Sequence, residues 1–158
     1  MSPRDGGSLH LREATGADLD AIWGIETAVF GREAWSRDMM REELTADHRS
    51  YAVLVDDAGA VHGYAGLLAV GPEADIQTIA VDPEARGRGQ GRRLMNALLD
   101  EAARREVRET FLEVRADNPV AQALYRSLGF EEIGVRPHYY QPDGVDAVIM
   151  KLEMRNRR

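Results

Sequence analysis

The chain has 158 residues, no cysteine and a formal net charge of −7, and its length is typical of one domain. The absence of cysteine excludes disulfides, thiolate nucleophiles and cysteine-based zinc sites. The acidic balance argues against broad binding to nucleic acid or anionic membranes, and no apolar run approaches the roughly 20 residues of a membrane span. Residues 1–7 are expected to be flexible. The polar N-terminus lacks the apolar core of a signal peptide, so a cytoplasmic location is expected.

The first part of the chain is predicted to form a strand followed by two helices. Residues 8–13 alternate between polar and apolar side chains, which indicates a strand. Thr15 begins a sequence similar to a capping box, and the helix that follows is expected to end near Phe30. A second, shorter helix is predicted to start at Ser36.

The middle of the chain is predicted to form three strands and a helix. Residues 51–55 and 61–70 flank a polar turn, which indicates a hairpin. Residues 74–81 indicate a third strand, because Asp82-Pro83 then interrupts the apolar pattern. Apolar residues at helical spacing over 94–102 predict a helix after that break.

The last part is predicted to form a strand, a helix and two further strands. Residues 110–115 read as a strand, and Asn118-Pro119 is a favourable helix start. Gly129 is expected to stop that helix, and residues 131–135 and 146–152 indicate the final strands. The order β-α-α-β-β-β-α-β-α-β-β predicts a mixed α/β domain with seven strands and four helices.

Residues 86–93, called the Gly-Arg segment below, contain four Arg, three Gly and no acid. They lie between a predicted strand and a predicted helix, where free amides and the helix dipole favour an anion. The segment lacks the Lys of a Walker A loop, and Arg92 stands where a dinucleotide-binding motif needs its third glycine. Arg86, Gly89 and Gly91 instead satisfy the pattern Arg/Gln-x-x-Gly-x-Gly. The alternative is a solvated turn without a ligand.

With this pattern after the strand Thr78-Ile79-Ala80-Val81, the chain resembles the GCN5-related N-acetyltransferase superfamily. The resemblance implies an α/β (α+β) fold in a single domain over residues 1–158. Its sheet would have about seven mostly antiparallel strands, splayed between strands 4 and 5, with about four flanking helices.

The resemblance also implies acetyl-CoA as co-substrate. No metal is expected, because the four His show no metal-binding spacing. The residues expected to bind the pyrophosphate and, through their backbone, the pantetheine arm are Arg86, Gly87, Arg88, Gly89, Gln90, Gly91 and Arg92, together with Ile79, Ala80 and Val81.

Four further segments make the resemblance more specific, because they point to one group within the superfamily. They are LEVRADN at 112–118, ALYRSLGF at 123–130, AWS at 34–36 and RPHYY at 136–140. They are similar to segments of the ribosomal-protein-alanine acetyltransferases within the superfamily. Residues 31–34 depart from that pattern, because relatives often place Pro directly before the Trp, and the departure is expected to alter the acceptor loop.

Glu113 is the candidate general base. It is predicted to lie in mid-strand, with Leu112 and Val114 on the opposite face, and a carboxylate there can remove a proton directly or through water. The alternative is a surface glutamate paired with Arg115. Because an α-amine has a pKa of about 7.7–8.0 and a Lys amine about 10.4, a moderate base suits an N-terminal acceptor better.

The resemblance assigns Tyr125 the role of general acid, which protonates or hydrogen-bonds the departing sulfur. The alternative is an ordinary amphipathic Tyr that only packs. Asn118 is expected to cap its helix and to contact the cofactor. Trp35 and Tyr139 are expected to line an acceptor groove, although aromatic side chains often serve packing alone.

The leading prediction is an acetyl-CoA-dependent transferase that acts on a protein N-terminal amine, by resemblance the N-terminal Ala of a small-subunit ribosomal protein. Direct transfer in a ternary complex is expected, because no cysteine can hold the acetyl group. A basic acceptor would suit the 16 bases and 27 acids found outside the Gly-Arg segment. A monomer or weak dimer without nucleic acid or membrane partners is expected. The alternatives are a small-molecule or Lys acceptor, or an acyl-CoA-binding module without catalysis.

Overall fold

A computed structural model describes residues 9–158, which form seven strands and four α-helices joined by turns and short 3-10 segments. This is the predicted order of elements; residues 1–7, expected to be flexible, lie outside the described residues. The helices are α1 (Leu19–Phe30), α2 (Arg37–Thr45), α3 (Gln90–Arg104) and α4 (Pro119–Ser127). The strands are β1 (His10–Glu13), β2 (Arg49–Val55), β3 (Val61–Val70), β4 (Glu73–Val81), β5 (Glu109–Arg115), β6 (Glu131–Tyr140) and β7 (Val145–Glu153).

The seven strands form one mixed sheet in the order β1-β2-β3-β4-β5-β7-β6. Antiparallel ladders join β1 to β2, β2 to β3, β5 to β7 and β6 to β7. The β4–β5 ladder is parallel and runs from the pair Glu73–Glu109 to the pair Asp75–Phe111, although both strands continue beyond it. The predicted mixed and mostly antiparallel sheet is confirmed, and the predicted splay between strands 4 and 5 stays a prediction.

The chain divides into two compact units. The first comprises the described residues up to Leu68 together with Gln77–Glu101, and the second comprises Ala69–Ile76 and Ala102–Arg158. The expectation of a single domain over residues 1–158 stays a prediction.

The first unit has its core where α1 and α2 pack on the sheet. Ile22, Met40, Val53 and Tyr64 are fully buried there, and burial of such side chains is the main driving force for docking the helices. Asp18 closes the predicted capping box before α1, where its carboxylate accepts the Thr15 amide at 2.8 Å, and it also accepts the Arg12 guanidinium at 2.8 Å.

Side-chain caps also determine where α2 and α4 begin. The Ser36 hydroxyl accepts the Met39 amide at 3.1 Å, and the Asn118 side chain accepts the Ala121 amide at 3.1 Å. Both side chains satisfy backbone amides that have no partner within their helix. The predicted starts of these helices are therefore confirmed, as is the capping role of Asn118.

β6 is longer than expected, because it runs from Glu131 to Tyr140 whereas the sequence predicted residues 131–135. Pro137 argues against a continued strand, since proline cannot donate to a ladder. β6 is the last strand in the sheet order, and its register shifts between Arg136 and Tyr140. An edge strand with an irregularity tolerates proline, so Tyr139 lies on a strand rather than in a loop.

Candidate active site

The Gly-Arg segment joins β4 to α3 in the first unit. Gly87 and Gly89 have φ of +80° and +75°, and a Cβ added to either would meet nothing within 4 Å. Glycine is therefore favoured by backbone conformation rather than by crowding. The loop leads directly into α3, which begins at Gln90. An open glycine backbone at a helix N-terminus suits a phosphate group.

The arginines of this segment differ in their surroundings. Arg86 donates its Nε–H to the Val81 carbonyl at 3.0 Å. Arg93 donates to the Gln90 side chain at 2.9 Å and to the Leu9 carbonyl at 3.0 Å. Gln90 is only 4% exposed, so its side chain lies within the protein and orients Arg93. Arg88 and Arg92 are exposed residues of the same segment.

β4 leads into the Gly-Arg segment through Ile79, Ala80 and Val81. Ala80 is buried and Ile79 and Val81 are half-buried, so these side chains serve the core as the apolar pattern predicted. After the strand, the Asp82 amide donates to the His62 carbonyl at 2.8 Å. Any ligand contact at these three residues is therefore expected from the main chain.

Trp35 lies in the segment between α1 and α2, where α1 holds its backbone on both sides. The Trp35 amide donates to the Glu26 carboxylate at 2.9 Å, and the Trp23 indole N–H donates to the Trp35 carbonyl at 3.1 Å. The Trp35 side chain is half-buried against the core. Sequence reasoning missed Glu26; the available signal was an acid on the apolar face of α1, four residues after Ile22.

Glu113 lies on β5 in the second unit, and the predicted alternation of that strand is confirmed. Leu112 and Val114 are buried, whereas the Glu113 side chain is 27% exposed. Arg136 places its Nε 3.5 Å from the Glu113 carboxylate, and its guanidinium lies 5.6 Å from the ring centre of Tyr139. Burial, followed by the charge and hydrogen bonding of Glu113, raises the pKa of Tyr139.

Asp75 adds a second carboxylate on β4. Burial, followed by the charges of Glu73 and Glu113, raises the pKa of Asp75. Its register partner on β5 is Phe111, two residues before Glu113. Asp75 and Arg136 were not predicted as neighbours of Glu113, because only strand register and pairing bring them together. Glu113, Asp75, Arg136 and Tyr139 are called the Glu113 cluster below.

Arg115 occupies a separate set of contacts on the same strand. It pairs with Asp117 at 2.9 Å and with Asp143 at 3.6 Å, and its guanidinium lies 5.4 Å from the ring centre of Tyr140. Glu113 forms an ion pair with Arg136, which lies 21 residues farther along the chain than Arg115, the partner considered from sequence.

Tyr125 lies on α4 and is 7% exposed. Its ring packs edge-on against Phe130 with centroids 6.1 Å apart, and the Phe130 amide donates to the Tyr125 carbonyl at 3.1 Å. Burial raises the pKa of Tyr125 to about 12, so the phenol keeps its proton at neutral pH and is available as a donor.

Two further features concern metal sites and membrane spans in residues 9–158. No group of three or more His, Asp or Glu side chains in this part of the chain could hold a metal ion. None of the described helices is long and apolar enough to cross a membrane. The expected absence of a metal and the expected cytoplasmic location stay predictions.

The relatives of this chain among known proteins include two N-acetyltransferases. The chain is 41% identical over 144 residues to the N-alpha-acetyltransferase RimI of Mycobacterium tuberculosis, covering 88% of this chain and 89% of that protein. It is 39% identical over 137 residues to the [ribosomal protein bS18]-alanine N-acetyltransferase of Salmonella typhimurium, covering 85% and 90%. A further match, 44% identical, is an uncharacterized protein of Mycobacterium leprae, of which this chain spans 39%.

A solved structure supports the same grouping. The crystal structure of the ribosomal-protein-S18-alanine N-acetyltransferase from Escherichia coli superposes with a TM-score of 0.82 at 34% identity, covering 92% of this chain and 94% of that one. Residues 19–130 match the model of the acetyltransferase (GNAT) family. The family model and the relatives therefore agree on a catalytic protein. The chain is an acetyltransferase that belongs to the GNAT family.

Proposed function

We propose that this enzyme transfers an acetyl group from acetyl-CoA to a protein N-terminal amine, and that its acceptor is the N-terminal Ala of ribosomal protein bS18. The Glu113 cluster is the observation that supports the activity best. It combines a partly exposed carboxylate with a neighbouring tyrosine whose position on an edge strand leaves it 48% exposed. The printed names of the Salmonella typhimurium and Escherichia coli relatives support the acceptor.

In the proposed reaction the amine attacks the thioester carbonyl, the C–N bond forms, and the C–S bond breaks. Glu113 accepts the proton that the ammonium must lose, directly or through water. Arg136 orients the carboxylate in an ion pair that solvent screens. Asp75 adds a negative charge to the same cluster, and this charge favours binding of a cationic amine.

Tyr125 is proposed to act on the departing sulfur. With a pKa of about 12, complete proton transfer to an ordinary thiolate of pKa about 8.5 would be uphill by about 5 kcal/mol. The buried phenol therefore favours hydrogen-bond donation to the sulfur as negative charge develops there. The nitrogen loses a second proton to solvent as the amide forms, and solvent protonates the thiolate after it has left, so that the step balances.

The Gly-Arg segment is proposed to bind the pyrophosphate of acetyl-CoA through the backbone of Gly87, Gly89 and Gly91 and through the exposed Arg88 and Arg92. Supporting roles fall to the other predicted residues. Arg86 and Gln90 stabilise the loop with their side chains. The pantetheine arm pairs with the main chain of Ile79, Ala80 and Val81. Asn118 contacts the cofactor. Trp35 and Tyr139 contact the acceptor.

The test is intact-mass analysis of a bS18 N-terminal peptide incubated with the enzyme and acetyl-CoA. A single added acetyl group on the α-amine is expected. A peptide with a blocked N-terminus and a free Lys is the matched control, and its acetylation at an equal rate would contradict the acceptor assignment. Retained acetyl-CoA binding without any acetylated peptide would also contradict the acceptor assignment.

A further inference from the structure

Glu26 is a buried acid that the proposed reaction does not use. It lies on α1 in the first unit and is 2% exposed. One carboxylate oxygen accepts the Trp35 amide at 2.9 Å. The other accepts the Tyr64 hydroxyl and lies 3.5 Å from the Thr78 hydroxyl. A buried carboxylate is costly unless donors surround it, and this one has donors on both oxygens.

The partners of Glu26 come from two functionally distinct places in the first unit. Trp35 belongs to residues 31–36, called the acceptor segment below, which connect α1 to α2. Tyr64 lies on β3, and Thr78 lies on β4 directly before Ile79. One oxygen of the Glu26 carboxylate thus contacts the acceptor segment, and the other contacts the strands of the sheet.

Tyr64 is suited to a permanent donor role in this network. It is fully buried, and burial, followed by the charge of Glu26, raises the pKa of its phenol. The hydroxyl therefore keeps its proton throughout the physiological range. Its second neighbour is Thr78, whose hydroxyl lies 3.4 Å away.

We propose that Glu26 is a positioning residue that holds the acceptor segment in a fixed position relative to β4, and that it thereby determines affinity for the acceptor. The inference rests on the proposed function, because that function assigns Trp35 to the acceptor and the main chain after Thr78 to acetyl-CoA. Glu26 itself touches neither substrate; it acts through the Trp35 backbone.

Glu26→Leu is the decisive variant, because leucine is similar in size to glutamate but lacks both oxygens that accept hydrogen bonds. Loss of a hydrogen bond worth about 1–1.5 kcal/mol corresponds to about tenfold in affinity. We expect the KM for the acceptor peptide to rise about tenfold, with the acetyl-CoA Kd changed less than about twofold. Glu26→Gln keeps an oxygen for the Trp35 amide, so it should restore the KM to within about threefold.

Asp18→Asn is the matched control. Asp18 is the other buried carboxylate next to α1, and its partners are Arg12 and Thr15 rather than the acceptor segment. A purely structural role for Glu26 predicts that both variants lower the thermal midpoint and that neither changes the acceptor KM. The proposal predicts a change of KM in Glu26→Leu alone.

Amide hydrogen exchange provides a readout that does not require turnover. The Trp35 amide should exchange faster in Glu26→Leu, whereas the Met39 amide, which is bonded to Ser36, should keep its wild-type rate. Should Glu26→Leu fail to fold, Tyr64→Phe removes one donor to the carboxylate and should raise the acceptor KM about threefold.

The outcomes separate this inference from the proposed function. A wild-type enzyme that leaves the bS18 peptide unmodified would overturn the function and, with it, the acceptor role of Glu26. A wild-type enzyme that acetylates the peptide, combined with an unchanged acceptor KM in Glu26→Leu, or in Tyr64→Phe if that variant is used, would overturn the inference alone. Unchanged Trp35 exchange in Glu26→Leu would also overturn it.

Discussion

Glu113→Gln is expected to slow acetyl transfer at neutral pH without weakening acetyl-CoA binding. Loss of a general base costs about 10²- to 10⁴-fold. The lower end is expected, because an α-amine with a pKa of about 7.8 is already roughly 14% neutral at pH 7. The Glu113 side chain is 27% exposed and its partner Arg136 is 57% exposed, so the substitution leaves no buried charge unpaired.

The pH dependence of this variant follows from the same reasoning. Without a base, only the neutral amine reacts, and its fraction rises from roughly 14% at pH 7 to roughly 94% at pH 9. The kcat/KM of Glu113→Gln should therefore rise about sevenfold over this range. The wild-type value should rise less, because Glu113 deprotonates the bound ammonium.

Initial rates from intact-mass analysis at pH 6.5–9 test both expectations, with calorimetric titration of acetyl-CoA alongside. Glu109→Gln is the control, because Glu109 lies on the same face of β5 and pairs with Lys151 at 2.6 Å. It should keep the wild-type rate. A Glu113→Gln enzyme as fast as the wild type at pH 7 would refute the general-base role, as would a variant-to-wild-type ratio independent of pH.

Three further predictions concern other parts of the molecule. Tyr125→Phe should lower kcat about tenfold or more with little change in thermal midpoint, because the ring can still pack on Phe130; single-turnover rates and calorimetry check this. Arg88→Ala should raise the acetyl-CoA Kd and reduce its salt dependence, with kcat unchanged at saturation. Hydrogen bonding from Arg12 holds the pKa of Asp18 below its ordinary value. Asp18 therefore stabilises the fold above about pH 4, and this contribution is lost as the pH falls through the lowered pKa. Urea unfolding of Asp18→Asn should show a shallower loss of stability below pH 4.

Each of these three has an outcome that contradicts it. Wild-type turnover in Tyr125→Phe would leave only the packing role of that ring. An unchanged Kd at low and high salt in Arg88→Ala would remove that side chain from phosphate binding. Parallel acid unfolding curves for the wild type and Asp18→Asn would show that the Arg12 pair does not contribute to the pH dependence.

Local signals were sufficient for most element boundaries. The hairpin strand β3 runs over Val61–Val70 as predicted, and α1 ends at Phe30 as predicted. Turn residues, caps and glycines act within a few residues of themselves, so their effect can be read from neighbouring letters. The predicted candidates Glu113 and Tyr125 lie on a strand and a helix for the same reason.

The partners of the candidate residues could not be obtained in this way. Arg136 reaches Glu113 because β6 and β5 both pair with β7, and Asp75 belongs to the Glu113 cluster because β4 pairs with β5 in parallel. Pro137 favoured an end of β6 before residue 137, but the strand continues because an edge strand tolerates proline. Register and edge position are properties of the whole sheet, and no short window of sequence determines them.

The sequence by itself determined the order of elements and the Gly-Arg segment, because these depend on residue type and local spacing. Its resemblance to known acetyltransferases supplied the candidate base and acid. Only the tertiary structure decided what surrounds them. The buried Glu26 is the clearest case: its partners Trp35, Tyr64 and Thr78 lie 9, 38 and 52 residues away. A buried carboxylate is stable only where folding assembles enough donors around it, and that assembly exists only in the folded chain.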